Sequence, residues 1–325
     1  MSPSIRGRGA ACLAPLLAAL SFTAAAQTPA ARAADAPAGV CTPARPHPAG
    51  LASFTVESGG RERRYFLYVP PGYDGASPRP LVLDFHGSGS HPRQQLAIDG
   101  MARQADAQGF LVLLPEAAVP FPPGGHTWNA PPDPRLPDDV RFAEDALADA
   151  ARRVCVDPAR VYATGFSGGA RLASELACAR PDRIAALGAV GGLRAPQGCG
   201  PVPVIAFHGT ADRINPYVGG GPAYWGYGVD AAVRGWARAN GCAASPVEAA
   251  RGASVTARRY AQCDGAAVAF YRVDGGGHTW PGSAFPFPPE RFGATTREID
   301  ATAVMLEFFR AHGGRTRPAA TAGSG

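Results

Sequence analysis

The chain has 325 residues, 46% hydrophobic and 18% charged, a balance that suits one large globular domain once the ends are trimmed. All 31 basic residues are arginine and the net charge is +5, but the arginines are scattered. The densest groups, Arg61/Arg63/Arg64 and Arg258/Arg259, read as solvated surface, and nothing forms a nucleic-acid stripe.

At the N-terminus, Arg6 and Arg8 precede an alanine-rich apolar run ending in Ala24-Ala25-Ala26, so residues 1–26 read as a signal peptide. That implies a secreted or periplasmic protein, and no other segment is long enough for stable membrane insertion. Residues 27–50, rich in Ala and Pro, are expected to be a loose linker tied down only at Cys41. Six cysteines remain after the leader: Cys41, Cys155, Cys178, Cys199, Cys242 and Cys263. An even number in an exported chain suggests disulfides, and the spacing favours Cys178 with Cys199 and Cys242 with Cys263, leaving Cys41 with Cys155. No Cys/His cluster suggests a metal site.

The folded domain is expected over residues 51–312, followed by a polar, disordered tail at 313–325. Ser53-Val56 and Tyr65-Val69 read as an antiparallel pair stopped by Pro70-Pro71-Gly72. Leu81-Phe85 is a solid apolar strand of the kind buried in a parallel sheet. It ends in His86-Gly87-Ser88-Gly89-Ser90, a loop able to turn the Ser88 N–H inward as an oxyanion donor; the alternative is a plain tight turn. His86 reads as a prop for that loop. A helix over 93–108 and the strand Phe110-Leu114 follow, then a proline-rich loop from Pro115 to Pro137 holding His126, Trp128 and Asn129. Asp138 and Asp139 read as caps of a helix running to Val154.

The stretch Val161 to Ala173 organises the rest. A short strand, Val161-Thr164, and a helix, Ala170-Ala179, flank Gly165-Phe166-Ser167-Gly168-Gly169. A serine on so sharp a turn needs nearly side-chain-free neighbours, and the Gly168 N–H at the helix start faces the place where an oxyanion would form. The pentapeptide alone also fits an ordinary strand-to-helix turn. Further strands at Ile184-Val190, Val204-Phe207 and Ala267-Val273 alternate with a helix at Val229-Asn240, and a closing helix spans Thr295-Ala311. This alternation predicts an α/β fold with a mostly parallel sheet covered by helices on both faces. Asp212 follows one strand and His278, after Gly275-Gly276-Gly277, follows the last. The order Ser167, Asp212, His278 supplies a nucleophile, an orienting acid and a base, each just past a strand end. Aromatic residues on the loops, Trp128, Tyr217, Tyr224, Trp225 and Trp280, either line a substrate pocket or pack on one another.

Four motifs carry a family resemblance: His86-Gly-Ser-Gly-Ser90, Asp157 to Ala170, His208 to Gly220, and Gly275-Gly-Gly-His278-Thr-Trp-Pro-Gly282. Over Cys41 to Ala311 the chain resembles the secreted polyhydroxybutyrate depolymerase-like esterases, close to feruloyl esterases of carbohydrate esterase family 1. The resemblance implies a catalytic α/β-hydrolase domain acting on small-molecule or oligomeric esters, with no metal or organic cofactor. It assigns the nucleophile to Ser167, the acid to Asp212 and the base to His278. It also pairs Cys242, in Asn240-Gly241-Cys242, with Cys263. An acyltransferase or peptidase of the same fold, or a non-catalytic secreted binding protein, remains an alternative at this stage.

Overall fold

The computed structural model describes residues 39–264 and 266–312. The signal peptide at 1–26, the linker up to residue 38 and the tail at 313–325 lie outside the described residues. In chain order the elements are β1 (Gly50–Ser58), β2 (Arg61–Val69), β3 (Arg79–Phe85), α1 (Pro92–Asp99), α2 (Met101–Gln108), β4 (Leu111–Pro115), β5 (Val119–Pro120), β6 (His126–Thr127), α3 (Asp139–Arg153), β7 (Val156–Phe166) and α4 (Gly168–Ala179). They continue with β8 (Ala186–Val190), β9 (Val204–Gly209), α5 (Val229–Ala239), β10 (Val247–Ala250), β11 (Val255–Tyr260), β12 (Val268–Val273), α6 (Pro289–Phe292) and α7 (Ala301–His312).

Ten strands form one sheet in the order β1-β2-β4-β3-β7-β8-β9-β12-β11-β10, and β5 pairs with β6 separately. The six central strands, β4 to β12, run parallel, while β1, β2, β11 and β10 add antiparallel edges. The apolar runs predicted as strands are the buried ones, because a strand covered on both faces must be apolar on both. On one face Phe142, Leu147, Leu172, Leu176 and Trp236 bring α3, α4 and α5 onto the sheet. On the other, Ile98, Met101, Met305 and Phe309 bring α1, α2 and α7. The chain leaves β3 toward β4 and returns through α3 to β7 on β3's other side, so the strand order reverses between β3 and β7. A crevice opens outside the carboxyl ends of strands at such a reversal.

The structure departs from several sequence expectations for physical reasons. The helix foreseen over 93–108 breaks at Gly100, which takes φ of 64°, and Asp99 Oδ1 accepts the Met101 N–H at 2.7 Å to start α2. Asp138 caps α3 by accepting from Arg141 N at 2.9 Å, but Asp139 turns inward to Arg63 at 2.8 Å. Arg63, expected on a solvated surface, is thus buried, its guanidinium lying 3.9 Å over the Phe142 ring. The segment before β1 is held by more than Cys41: Arg45 N donates to Gly75 O at 2.8 Å, and Arg45 O accepts from Tyr73 at 3.0 Å. Three disulfides join Cys41 to Cys155, Cys178 to Cys199 and Cys242 to Cys263.

One buried pair carries a pH signature. Asp84 lies in the otherwise apolar β3, fully buried, with no hydrogen-bond donor of normal geometry among the described residues. Its neighbour is the buried Asp99. Burial, then the Asp99 charge, holds the Asp84 carboxyl well above the usual range, and burial raises Asp99 to about 6. Both groups bind protons more tightly folded than unfolded, so their stabilising contribution is complete at acid pH and fades as pH climbs through 6. Asp84→Asn should therefore reduce the loss of stability between about pH 5 and about pH 8 by on the order of 1–2 kcal/mol. Thermal denaturation of both proteins at the two pH values checks this; a wild-type Tm that rises across the interval would contradict it.

Candidate active site

The turn between β7 and α4 holds Ser167 at φ 54°, ψ −114°, a left-handed conformation that L side chains avoid. Such strain costs about 1–3 kcal/mol and persists only where the surroundings impose it. Here they do. A Cβ on Gly165 would come within 2.5 Å of the Gly169 carbonyl carbon, and one on Gly169 would overlap the Phe85 carbonyl oxygen. The Ser167 N–H donates to Val190 O at 2.9 Å, fastening the turn to the end of β8. The residue is 8% exposed and its Oγ has no hydrogen-bond partner among the described residues.

The loop after β3 runs alongside. A Cβ on Gly168 would lie 3.2 Å from Ser88 N, so the two amides are neighbours at the mouth of the crevice. Neither donates to a protein acceptor among the described residues. Ser88 Oγ pairs with Thr127 Oγ1 at 2.7 Å, and Gly89 N donates to His126 O at 2.9 Å, which couples the loop to β6. His86 holds it from below. Its Nδ1–H donates to Gly87 O at 2.8 Å while Nε2 accepts from Ala117 N at 3.1 Å, and burial lowers its pKa to about 4, so the ring is a neutral strut.

Beyond β9, Asp212 Oδ1 accepts the N–H groups of Ile214 and Asn215, each at 2.8 Å. Its Oδ2 accepts His278 Nδ1–H at 2.6 Å. His208, which the sequence reading left without a role, stands 3.3 Å from the same oxygen and donates from Nε2 to Asn215 O at 2.8 Å. Burial works against the Asp212 charge, but His278, with His208 beside it, outweighs that and holds the carboxyl well below its usual range. Asn215, also missed, is fully buried and donates from Nδ2 to Gly191 O at 2.6 Å. The His278 ring lies 4.9 Å from that of Phe166, the residue before Ser167, and a Cβ on Gly191 would sit 3.3 Å from its Cε1. His208 and Asn215 both fall within the motif from His208 to Gly220, but nothing in that motif gave either side chain a role.

Of the aromatic residues expected on a pocket wall, the tryptophans face inward. Trp128, Trp225 and Trp280 are each at most 4% exposed, and each donates its indole N–H inward: Trp128 to His86 O at 2.7 Å, Trp225 to Pro216 O at 2.9 Å, Trp280 to Thr302 Oγ1 at 2.9 Å. Trp225 also stacks on His208 at 5.7 Å. A large amphipathic ring with one donor is best satisfied by apolar packing plus one acceptor, so these residues brace the loops from behind. Tyr217 is half-buried and donates to Asp230 Oδ1 at 2.7 Å. No cluster of side chains able to hold a metal ion occurs among the described residues, and none of their helices is long and apolar enough to cross a membrane.

No family model matches the chain. It is similar to a protein named as an esterase, NocK of Nocardia uniformis subsp. tsuyamanensis, at 32% identity over 86% of this chain and 90% of that one. It is similar to feruloyl esterase B of Piromyces equi at 29% identity over 66% of this chain, and it spans 42% of that longer protein. Among solved structures it resembles an acetyl xylan esterase from Aspergillus awamori, with a TM-score of 0.55 and 15% identity over 79% of this chain and 98% of that one, which bears on the fold alone. The sheet is that of an α/β-hydrolase, and the chain belongs, with the NocK esterase, to a family of carboxylic ester hydrolases whose relatives include feruloyl esterases.

Proposed function

We propose that the protein is an exported serine esterase that cleaves feruloyl-type or hydroxyalkanoate oligomer esters through an acyl-enzyme on Ser167. The observation that carries this reading is the 2.6 Å bond from His278 Nδ1 to a buried, ionised Asp212, beside a serine held in a strained turn. Asp212 fixes the tautomer that leaves His278 Nε2 free to accept a proton. Ser167 Oγ attacks the ester carbonyl carbon as its proton passes to Nε2, and the Ser88 and Gly168 amides receive the oxyanion. Collapse expels the alcohol, which takes the proton from His278, and a water then repeats the sequence to release the acid. In the free enzyme Ser167 Oγ makes no bond to His278, and that contact forms as substrate closes the crevice. The oxyanion role of Ser88 rests on its unengaged amide next to that of Gly168. The substrate class rests on the feruloyl esterases among the relatives, and export on the three disulfides, which persist in oxidising compartments.

Ser167→Ala is expected to lower kcat on p-nitrophenyl acetate by roughly 10⁴-fold or more and to abolish labelling by a fluorophosphonate, with Tm preserved or raised as a largely buried hydroxyl that has no protein partner among the described residues is removed. Turnover that survives the substitution would refute the acyl-enzyme. For Asp212→Asn, steady-state kinetics should show kcat down by roughly 10³- to 10⁴-fold at nearly constant KM, since the carboxylate acts through His278 and touches no substrate. A panel of methyl ferulate, hydroxybutyrate oligomers and p-nitrophenyl esters reads the acyl preference; activity confined to the short p-nitrophenyl esters would reject both substrate classes.

A further inference from the structure

One buried cation beside the nucleophile has no carboxylate partner among the described residues. Arg171 stands one helical turn after Ser167 on α4 and is only 5% exposed. A guanidinium taken out of water is normally matched by a carboxylate, because desolvating an unpaired cation is costly. Arg171 has none. Glu175, a turn further on, pairs with Arg194 instead, and no other carboxylate lies within ion-pairing distance of Arg171 among the described residues. The one hydrogen bond of its guanidinium among the described residues runs from Nη2 to Ser88 Oγ at 3.5 Å, while Nε is buried with no acceptor. The half-buried Tyr224 lies against it, with the guanidinium carbon 4.2 Å over the ring, which orients the plane and offsets part of the desolvation.

The position of this cation is specific. Arg171 Nη2 would lie 3.3 Å from a Cβ on Gly168, and it reaches the partly exposed Ser88, so it sits at the edge of the two amides proposed to take the oxyanion. A planar fork of N–H donors suits a carboxylate better than any other common group, and an arginine kept charged and unmatched in the free protein favours a ligand that is an anion before the reaction starts. We propose that Arg171, with Ser88 Oγ and the face of Tyr224, forms an anion subsite that receives a carboxylate carried by the ester substrate. The inference rests on the esterase reading above and narrows it: preferred substrates are esters bearing a free carboxylate near the scissile bond, such as half-esters of dicarboxylic acids or oligoesters with a free acid end.

Matched pairs of ethyl esters test this. Monoethyl succinate, glutarate and adipate are compared with ethyl butanoate, pentanoate and hexanoate in a pH-stat near neutrality, and the readout is the ratio of kcat/KM, charged over neutral, within each protein. Any damage Arg171→Met does to the oxyanion loop cancels in that ratio. In the wild type at least one chain length should show a ratio of roughly ten or more, since a charge-assisted hydrogen bond is gained. In Arg171→Met the ratio should fall below one, with Arg171→Lys between, because a point charge replaces the fork. A wild-type ratio at or below one for all three pairs, or a ratio that Arg171→Met leaves unchanged, overturns the proposal. Should the variants not fold, the wild type decides: free adipate, glutarate or succinate should compete with ethyl hexanoate and slow fluorophosphonate labelling where the matching diamides do not, and equal effects of acid and diamide overturn it. Fluorophosphonate labelling separates the two failures. A protein that labels at Ser167 but ignores the charge has lost only this inference, whereas one that neither labels nor hydrolyses any ester has lost the mechanism.

Discussion

The architecture turns on how closely β3, β7 and α4 approach one another at the serine turn. With no side chain at Gly165 and Gly169, α4 starts almost in contact with the Phe85 carbonyl at the end of β3, and Ser167 is forced to a positive φ. The strain is small beside the burial that imposes it, since Leu172, Ala173 and Leu176 follow at once into the core. The same closeness brings the loop after β3 level with the first turn of α4, so two main-chain amides from separate elements end side by side. A reversal of strand order between β3 and β7 makes room for this, because neither neighbouring crossover covers that point.

Around that turn the polar groups form chains whose members leave one another little freedom. Asp212 is held by two amides and two imidazoles, Asn215 ties the Asp212 loop to Gly191, and His278 is fastened by its own N–H to Phe292 O at 2.6 Å. Low local dielectric strengthens such bonds and punishes any that are missing, so the arrangement is rigid as long as it is complete. The tryptophans extend this outward. Trp128 fastens the His86 loop, Trp225 covers His208, and Trp280 reaches through Thr302 to the Asp99 carbonyl, linking the loop of His278 to the junction of α1 and α2.

Much of this was legible in the chain. Solid apolar runs marked the central strands because a doubly covered strand has no polar face, and a glycine-flanked serine, an acid and a histidine each fell just past such a run. What stayed hidden depends on direction in space. Trp128, Trp225 and Trp280 sit in glycine- and proline-rich loops, where composition is the same whether a ring faces a ligand or the core. Arg63 and Asp139 are far apart in sequence, so their buried pairing left no local mark, and Asp139 passed for a second cap. The break at Gly100 was masked by helix-compatible residues on both sides, the edge strand β10 by its shortness and exposure, and β11 by the arginines and threonine that alternate with its buried residues.

Arg171 belongs with these hidden features, yet it differs from them in kind. Arg63 is matched by Asp139, and the like-charged pair Asp84 and Asp99 is relieved by keeping a proton, so each buried charge is neutralised within the fold. An arginine cannot shed its charge in the same way. Burial does lower the Arg171 pKa, but from so high a starting value that the guanidinium stays charged near neutrality. A fold that answers its other buried charges internally and leaves this one open, at the rim of the two amides, has placed a standing positive potential where the reacting carbonyl must lie. An ester held at those amides would feel that potential throughout the reaction, so on this proposal charge joins acyl shape in selecting the substrate.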